Sequence, residues 1–162
     1  MNAHSLRQVI DPALRISGFV SATTVAALAI LVVTDIVIRN LELASWPWLN
    51  ELTEYLLTIS TFFGAPWILS RNGHVNVDVL LRMVRRSTVT VLTHVSNAIG
   101  LAVSAVMAWL ALTALLDAQS TGALIFKNII FPEWYMMVPI LSCFTLCGLE
   151  FLTRLLPRGT DA

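Results

Sequence analysis

Carboxylates border the apolar stretches of this chain at Asp35, Glu51, Glu54 and Glu150. Acids inside hydrocarbon commonly carry protons or ions. These stand near the ends of their runs, where water reaches, so boundary roles compete with a proton path. Glu51 and Glu54 lie one turn apart on one helix face. At a helix start the macrodipole favours negative charge. Capping that helix and contacting a partner subunit, or Arg39 across a loop, are both open readings. Asp35 and Arg39 are four apart and can pair. His74 stands in a polar turn between Arg71 and Asp78. One histidine in such company is no metal site, and a structural hydrogen-bonding role is the plainer reading. His94 is near the inner end of a run, whereas a four-helix membrane cytochrome needs paired histidines at depth. Cys143 and Cys147 share one helix face inside an apolar run. They read as packing residues, since a disulfide along one helix has poor geometry. The chain shows no nucleophile elbow, phosphate loop, His-x-x-x-His or Cys-x-x-Cys. No catalytic, metal or cofactor site is therefore expected. By elimination, the profile is that of an accessory or scaffold subunit.

The elements that hold these groups belong to a membrane. The chain of 162 residues is 57% hydrophobic and 12% charged, against about 25% charged in soluble proteins. Its formal charge is zero, so no basic field exists for nucleic acid. The charges cluster between long apolar runs. The expected architecture is one all-α membrane domain over residues 1–162. Its four spans fall at about 16–38, 51–70, 90–116 and 132–153. The first reads as a retained anchor, because its far end lacks a small-residue cleavage site. Short amphipathic helices are expected at the membrane surface near 5–15 and 76–86. Pro12 suits the start of the first, or a break, better than its middle. Arg82, Arg85 and Arg86 would grip anionic headgroups, and Asn76 and Asp78 would cap the second surface helix.

Between the spans lie interface residues. Asn40–Asn50 reads as a loop whose Trp46-Pro47-Trp48 suits the headgroup zone, with an aromatic ligand box as the sharper alternative. Gly64-Ala65-Pro66 makes a small, kinkable point. Ser96, Gly100, Ser104 and Ala108 recur every four residues, a stripe where another helix, of this chain or a partner, can approach closely. Asp117–Lys127 reads as a polar loop, and Phe131-Pro132-Glu133-Trp134-Tyr135 opens the last span. With the N-terminus inside, the inner segments hold Arg7, Arg15, Arg71, Arg82, Arg85, Arg86, Arg154 and Arg158. The outer loops hold only Arg39 and Lys127. That bias puts both termini in the cytoplasm.

The run Trp48-Leu49-Asn50-Glu51-Leu52-Thr53-Glu54-Tyr55-Leu56, then Phe62-Phe63-Gly64-Ala65-Pro66-Trp67 through Arg71-Asn72-Gly73-His74 to Asp78, carries a resemblance. It is similar to the small membrane subunit, DctQ-like, of tripartite ATP-independent periplasmic (TRAP) transporters. Arg39 closing the first span and Ile130-Phe131-Pro132-Glu133-Trp134-Tyr135 opening the last are similar too. The family often has two adjacent acids entering the second span; here Asn50 precedes Glu51, and Glu54 stands one turn on. The resemblance implies secondary, ion-driven (sodium) uptake of organic acids in a bacterial inner membrane, as a multi-pass subunit without a cofactor. It implies two partners: a large DctM-like permease that carries the substrate, and a DctP-like periplasmic binding protein. The small subunit would enlarge the static scaffold and help dock the binding protein. Arg39, Trp48, Glu51, Glu54, Gly64, Arg71, His74, Asp78 and Gly100 are its candidate interface and structural residues. Trp46, Arg82, Arg85, Arg86 and Trp134 are candidate membrane-surface anchors. Two other classes stay in view: a self-contained proton-coupled exporter titrating Asp35, Glu51 or Glu54, and an assembly subunit of an unrelated membrane complex.

Overall fold

The computed structural model describes residues 3–42, 46–71, 86–127 and 129–156. Within them lie four helices: α1 (Ala3–Asn40), α2 (Pro47–Arg71), α3 (Arg86–Thr121) and α4 (Trp134–Leu155). Two short strands, β1 (Leu124–Ile125) and β2 (Phe131–Pro132), join α3 to α4. The helices pack as a row in the order α1, α2, α4, α3, with a lighter contact of α1 on α4. Among the described residues the two outer helices do not pack as a pair. The arrangement is therefore an open row, not a closed bundle.

Each helix contains a charge-free run. Ile16–Thr34 in α1 is about 28 Å long, and Tyr55–Ser70 in α2 and Trp134–Leu149 in α4 are about 24 Å each, at 1.5 Å per residue. These lengths approach the hydrocarbon thickness of about 30 Å. Long, exposed apolar faces go with them: Phe19 is 74% exposed, Ile30 67% and Trp109 67%. In water such faces would aggregate; in lipid they are solvated.

Among the described residues, three helices are long and apolar enough to cross a membrane: α1 from Ile10, α3 from Val91, and α4. α2 is not among them. Its composition is diluted by Glu51, Glu54, Thr58, Ser60, Thr61 and Pro66. Its position accounts for this, because α1 and α4 flank it and bury Leu49, Ser60, Gly64 and Pro66. A helix covered on both sides meets lipid over less of its surface and needs fewer apolar residues.

The helix pairs are built on small residues. In α1, the Ser21 hydroxyl donates to the Ser60 carbonyl of α2 at 2.8 Å. A Cβ on Gly64 would lie 2.7 Å from the Ser21 hydroxyl, and one on Gly18 would lie 2.6 Å from the Trp67 ring. The stripe in α3 packs on α4 of the same chain. A Cβ on Gly100 would meet the Phe151 ring at 2.6 Å, and buried Ser104 faces Gly148. Ser96 is exposed, so the contact begins one turn further on.

Several elements differ from the sequence reading. No separate surface helix occupies 5–15; α1 runs unbroken from Ala3 and contains Pro12. Ile10, Leu14 and Ser17 are buried at helical spacing and continue the face that meets α2. Pro12 and Gln8 are exposed, so the carbonyl that Pro12 leaves without a donor lies at the surface, where water can satisfy it. α2 begins at Pro47, not Glu51, with Pro47 in the first helical position that proline favours. α3 continues past Asp117 to Thr121. The surface helix expected at 76–86 lies outside the described residues, save that Arg86 opens α3.

Gly18→Ala should force the Trp67 ring aside and destabilise the chain by about 1–3 kcal/mol. Gly148→Ala, whose added methyl meets Ser104 at an ordinary 3.5 Å, should cost much less. Thermal unfolding of the two variants in detergent compares them.

Candidate functional site

One end of the row is closed by a hairpin. Gly122 ends α3 at φ +63°, a left-handed turn that glycine takes without strain. The Ala123 N–H returns to the Ala118 carbonyl at 3.3 Å, the usual tie after such a glycine. β1 and β2 then pair antiparallel, Leu124 with Pro132 and Ile125 with Phe131. A proline is tolerated there because the ribbon has only two strands and both are edges.

Three residues of α2 hold this hairpin. Glu51 accepts the Ile129 N–H at 3.0 Å. Glu54 pairs with the Lys127 ammonium at 3.0 Å. Tyr55 meets the edge of Phe131 with ring centroids 4.9 Å apart, and Lys127 lies 5.7 Å over the Tyr55 ring. The hydrogen bond to Glu54 holds the Lys127 pKa above its ordinary value. Neither acid is in the first turn of α2, since the helix starts a turn earlier than the sequence suggested. Both reach forward to the hairpin. Arg39 pairs instead with Asp35 at 2.8 Å on α1.

Aromatic residues ring the same end. Trp46 and Trp48 stack at 6.1 Å across Pro47, and Trp134 and Tyr135 stack at 4.0 Å at the start of α4. A cleft of about 270 Å³ lies between Arg39, Trp46, Pro47 and Asn50.

The opposite end carries an ion pair that sequence reasoning did not single out. Glu150 of α4 is buried at 6% exposure and pairs with Arg154 at 3.0 Å. Arg154 also donates to the Leu69 carbonyl in the last turn of α2. That carbonyl is one that helix termini leave without a partner. A cation there also complements the negative end of the helix dipole. One side chain thus ties α4 to α2 and neutralises a buried acid. The signal was available: Glu150 and Arg154 are four apart in an apolar run, where charges occur in pairs. Arg71 closes α2 with its guanidinium 4.5 Å from the Trp67 ring.

The structure gathers Glu51, Glu54, Trp46, Trp48, Arg39 and Trp134 at the hairpin end. Arg71 stands at the other end. Gly64 and Gly100 lie within helix contacts of this chain. His74, Asp78, Arg82 and Arg85 lie outside the described residues, as does the side chain of Arg86. Cys143 is buried and Cys147 half-buried, both free thiols.

Lys127 is the chain's only lysine, so its titration can be followed by side-chain carbon NMR. Its tether should be complete below the ordinary lysine range, pKa 10.5, and be lost as pH rises through the raised value. Glu54→Gln should return the titration to that range. Arg154→Ala should leave Glu150 buried and unpaired at a cost of about 3–5 kcal/mol, and adding Glu150→Gln should recover part of that loss in thermal unfolding.

The sequence profile described as "Tripartite ATP-independent periplasmic transporters, DctQ component" matches residues 28–158. No curated protein sequence matches the chain.

Proposed function

The chain belongs to the DctQ component family of tripartite ATP-independent periplasmic transporters, and from that membership we propose that it is the fixed scaffold subunit of a sodium-driven carboxylate uptake system. The family is one of transporter components, not enzymes, and the chain is a multi-pass membrane protein. Its expected partners are a large permease that carries the substrate and a periplasmic binding protein that delivers it. The membrane is a bacterial inner membrane.

The observation that carries the scaffold reading is the open row. Helices α1 and α3 each pack mainly on one neighbour and leave wide apolar faces uncovered. A helix raft of this kind extends the membrane footprint of whatever it joins. A permease whose transport domain slides through the bilayer needs a frame that does not slide with it. Tryptophans at one boundary and arginines at the other resist vertical displacement.

In this reading the single domain crosses four times, with α2 crossing under the cover of α1 and α4. Both termini are cytoplasmic, from the excess of arginine at the end bearing Arg7, Arg15, Arg71 and Arg154. The hairpin end, with Glu51, Glu54, Glu133, Trp46, Trp48 and Trp134, is then periplasmic. Glu51 and Glu54 hold the hairpin in one position, so it offers a preformed surface to the binding protein. A self-contained exporter finds less support, because both of these acids are already engaged at the hairpin.

Purified chain alone should carry no sodium-driven carboxylate flux in proteoliposomes. Flux should begin only when the large permease and binding protein are added. Uptake by the chain alone would refute the scaffold role. For orientation, a cysteine at Lys127 should react with an impermeant maleimide added outside intact spheroplasts, and one at Arg71 should not.

A further inference from the structure

At the arginine end, α1, α2 and α4 enclose a cleft of about 230 Å³ that the scaffold reading does not use. Arg7, Asp11, Leu14 and Arg15 line it from α1, Trp67, Ser70 and Arg71 from α2, and Glu150 from α4. Its charges do not cancel. The Glu150 carboxylate is taken up by Arg154 at 3.0 Å. Among the described residues that line the cleft, Asp11 is then the one acid left facing three arginines. Among the described residues, neither Arg7 nor Arg15 is in a salt bridge.

Local helix electrostatics account for only part of this set: Asp11 is four residues from both Arg7 and Arg15, and one acid cannot balance three cations. Arg71 is favoured at the C-terminus of α2, but Arg7 and Arg15 lie beyond the first turn of α1 and gain nothing from its dipole. The first turn of α1 contains no acid. What suits two such cations facing a third across a cleft is an anion between them.

Depth identifies the class of anion. Arg15 is the last charge before the charge-free run Ile16–Thr34, Arg71 the first after Tyr55–Ser70, and Glu150 the first after Trp134–Leu149. On three helices the cleft therefore coincides with the hydrocarbon edge, where lipid phosphates lie. At about 230 Å³ the cleft has room for a phosphate-bearing headgroup. Trp67 is suited to that depth as well. Its ring packs on Gly18 and under the Arg71 guanidinium, which leaves the guanidinium edge free to donate to phosphate oxygens.

We propose that Arg7, Arg15 and Arg71 form a binding site for a phosphate group, supplied by an anionic phospholipid headgroup. The bound headgroup bridges α1 and α2 at the membrane surface. The inference needs only membrane insertion, so it stands or falls separately from the scaffold role.

Native mass spectrometry of the full delipidated chain tests it. The probes are dimyristoyl phosphatidylglycerol, dimyristoyl phosphatidylcholine and inorganic phosphate, each in excess. Phosphatidylglycerol should be retained over phosphatidylcholine. Arg7→Gln and Arg15→Gln should each lower its retention about fivefold, and Arg15→Lys should lower it less. Lys127→Gln, at the far end, should change nothing. Both arginines are exposed, so the variants should keep their helix content, which circular dichroism checks. Saturable binding of inorganic phosphate at the same arginines, without lipid retention, supports the phosphate site and assigns it to a soluble ion. Equal retention of the two lipids, or retention unchanged in the arginine variants, overturns the proposal.

Discussion

Apolar helix faces gain little by meeting one another in a bilayer, since lipid solvates them equally well. Cohesion in this chain therefore depends on how closely backbones approach. Ser21, Ser60 and Gly64 bring α1 against α2, and Gly100, Ser104 and Gly148 bring α3 against α4. Large side chains then use the space the small ones leave: Trp67 over Gly18 and Phe151 over Gly100. The same logic explains why the row stays open. α1 and α3 have bulky, exposed side chains on their outer faces, including Phe19 and Trp109, and nothing there invites a further helix of the same chain to pack closely.

The central pair, α2 and α4, is fastened at its ends by polar groups. At one end Glu51, Glu54 and Tyr55 hold the hairpin that leads into α4. At the other, Arg154 reaches from α4 to the Leu69 carbonyl while neutralising Glu150. The two fastenings differ in exposure. The Lys127–Glu54 pair is open to water and contributes little beyond positioning. The Glu150–Arg154 pair is buried and far more costly to break than to leave alone.

Much of the architecture was legible from the chain itself. Long apolar runs gave the helices, and the residues from Trp48 to Asp78 gave the family. Other features depended on tertiary context. Pro12 looked like a break because helix interiors exclude proline, yet an exposed proline on a well-packed helix is tolerated. Trp46-Pro47-Trp48 read as loop, though proline also favours a first helical position. The small-residue stripe of α3 announced a close contact but could not name α4. The hairpin left only a faint trace, a glycine followed by Leu124-Ile125-Phe126 and Ile129-Ile130-Phe131, because strands of two residues have no period to detect. The pairing of Glu51 and Glu54 with that hairpin follows from a separation of more than seventy positions, which no local pattern encodes.

The order of the row also bears on how the protein is made. α3 leans mainly on α4, and α2 leans on both α1 and α4. The ribosome delivers α4 last. Until it emerges, α1 and α2 can settle as a hairpin of helices, while α3 waits in lipid without its proper neighbour. The final helix must then insert between two segments already in place. Assembly is thus completed in the interior of the row by the last helix to arrive, so a nascent chain stalled before Trp134 is a helix pair and an unpaired helix rather than a nearly finished protein.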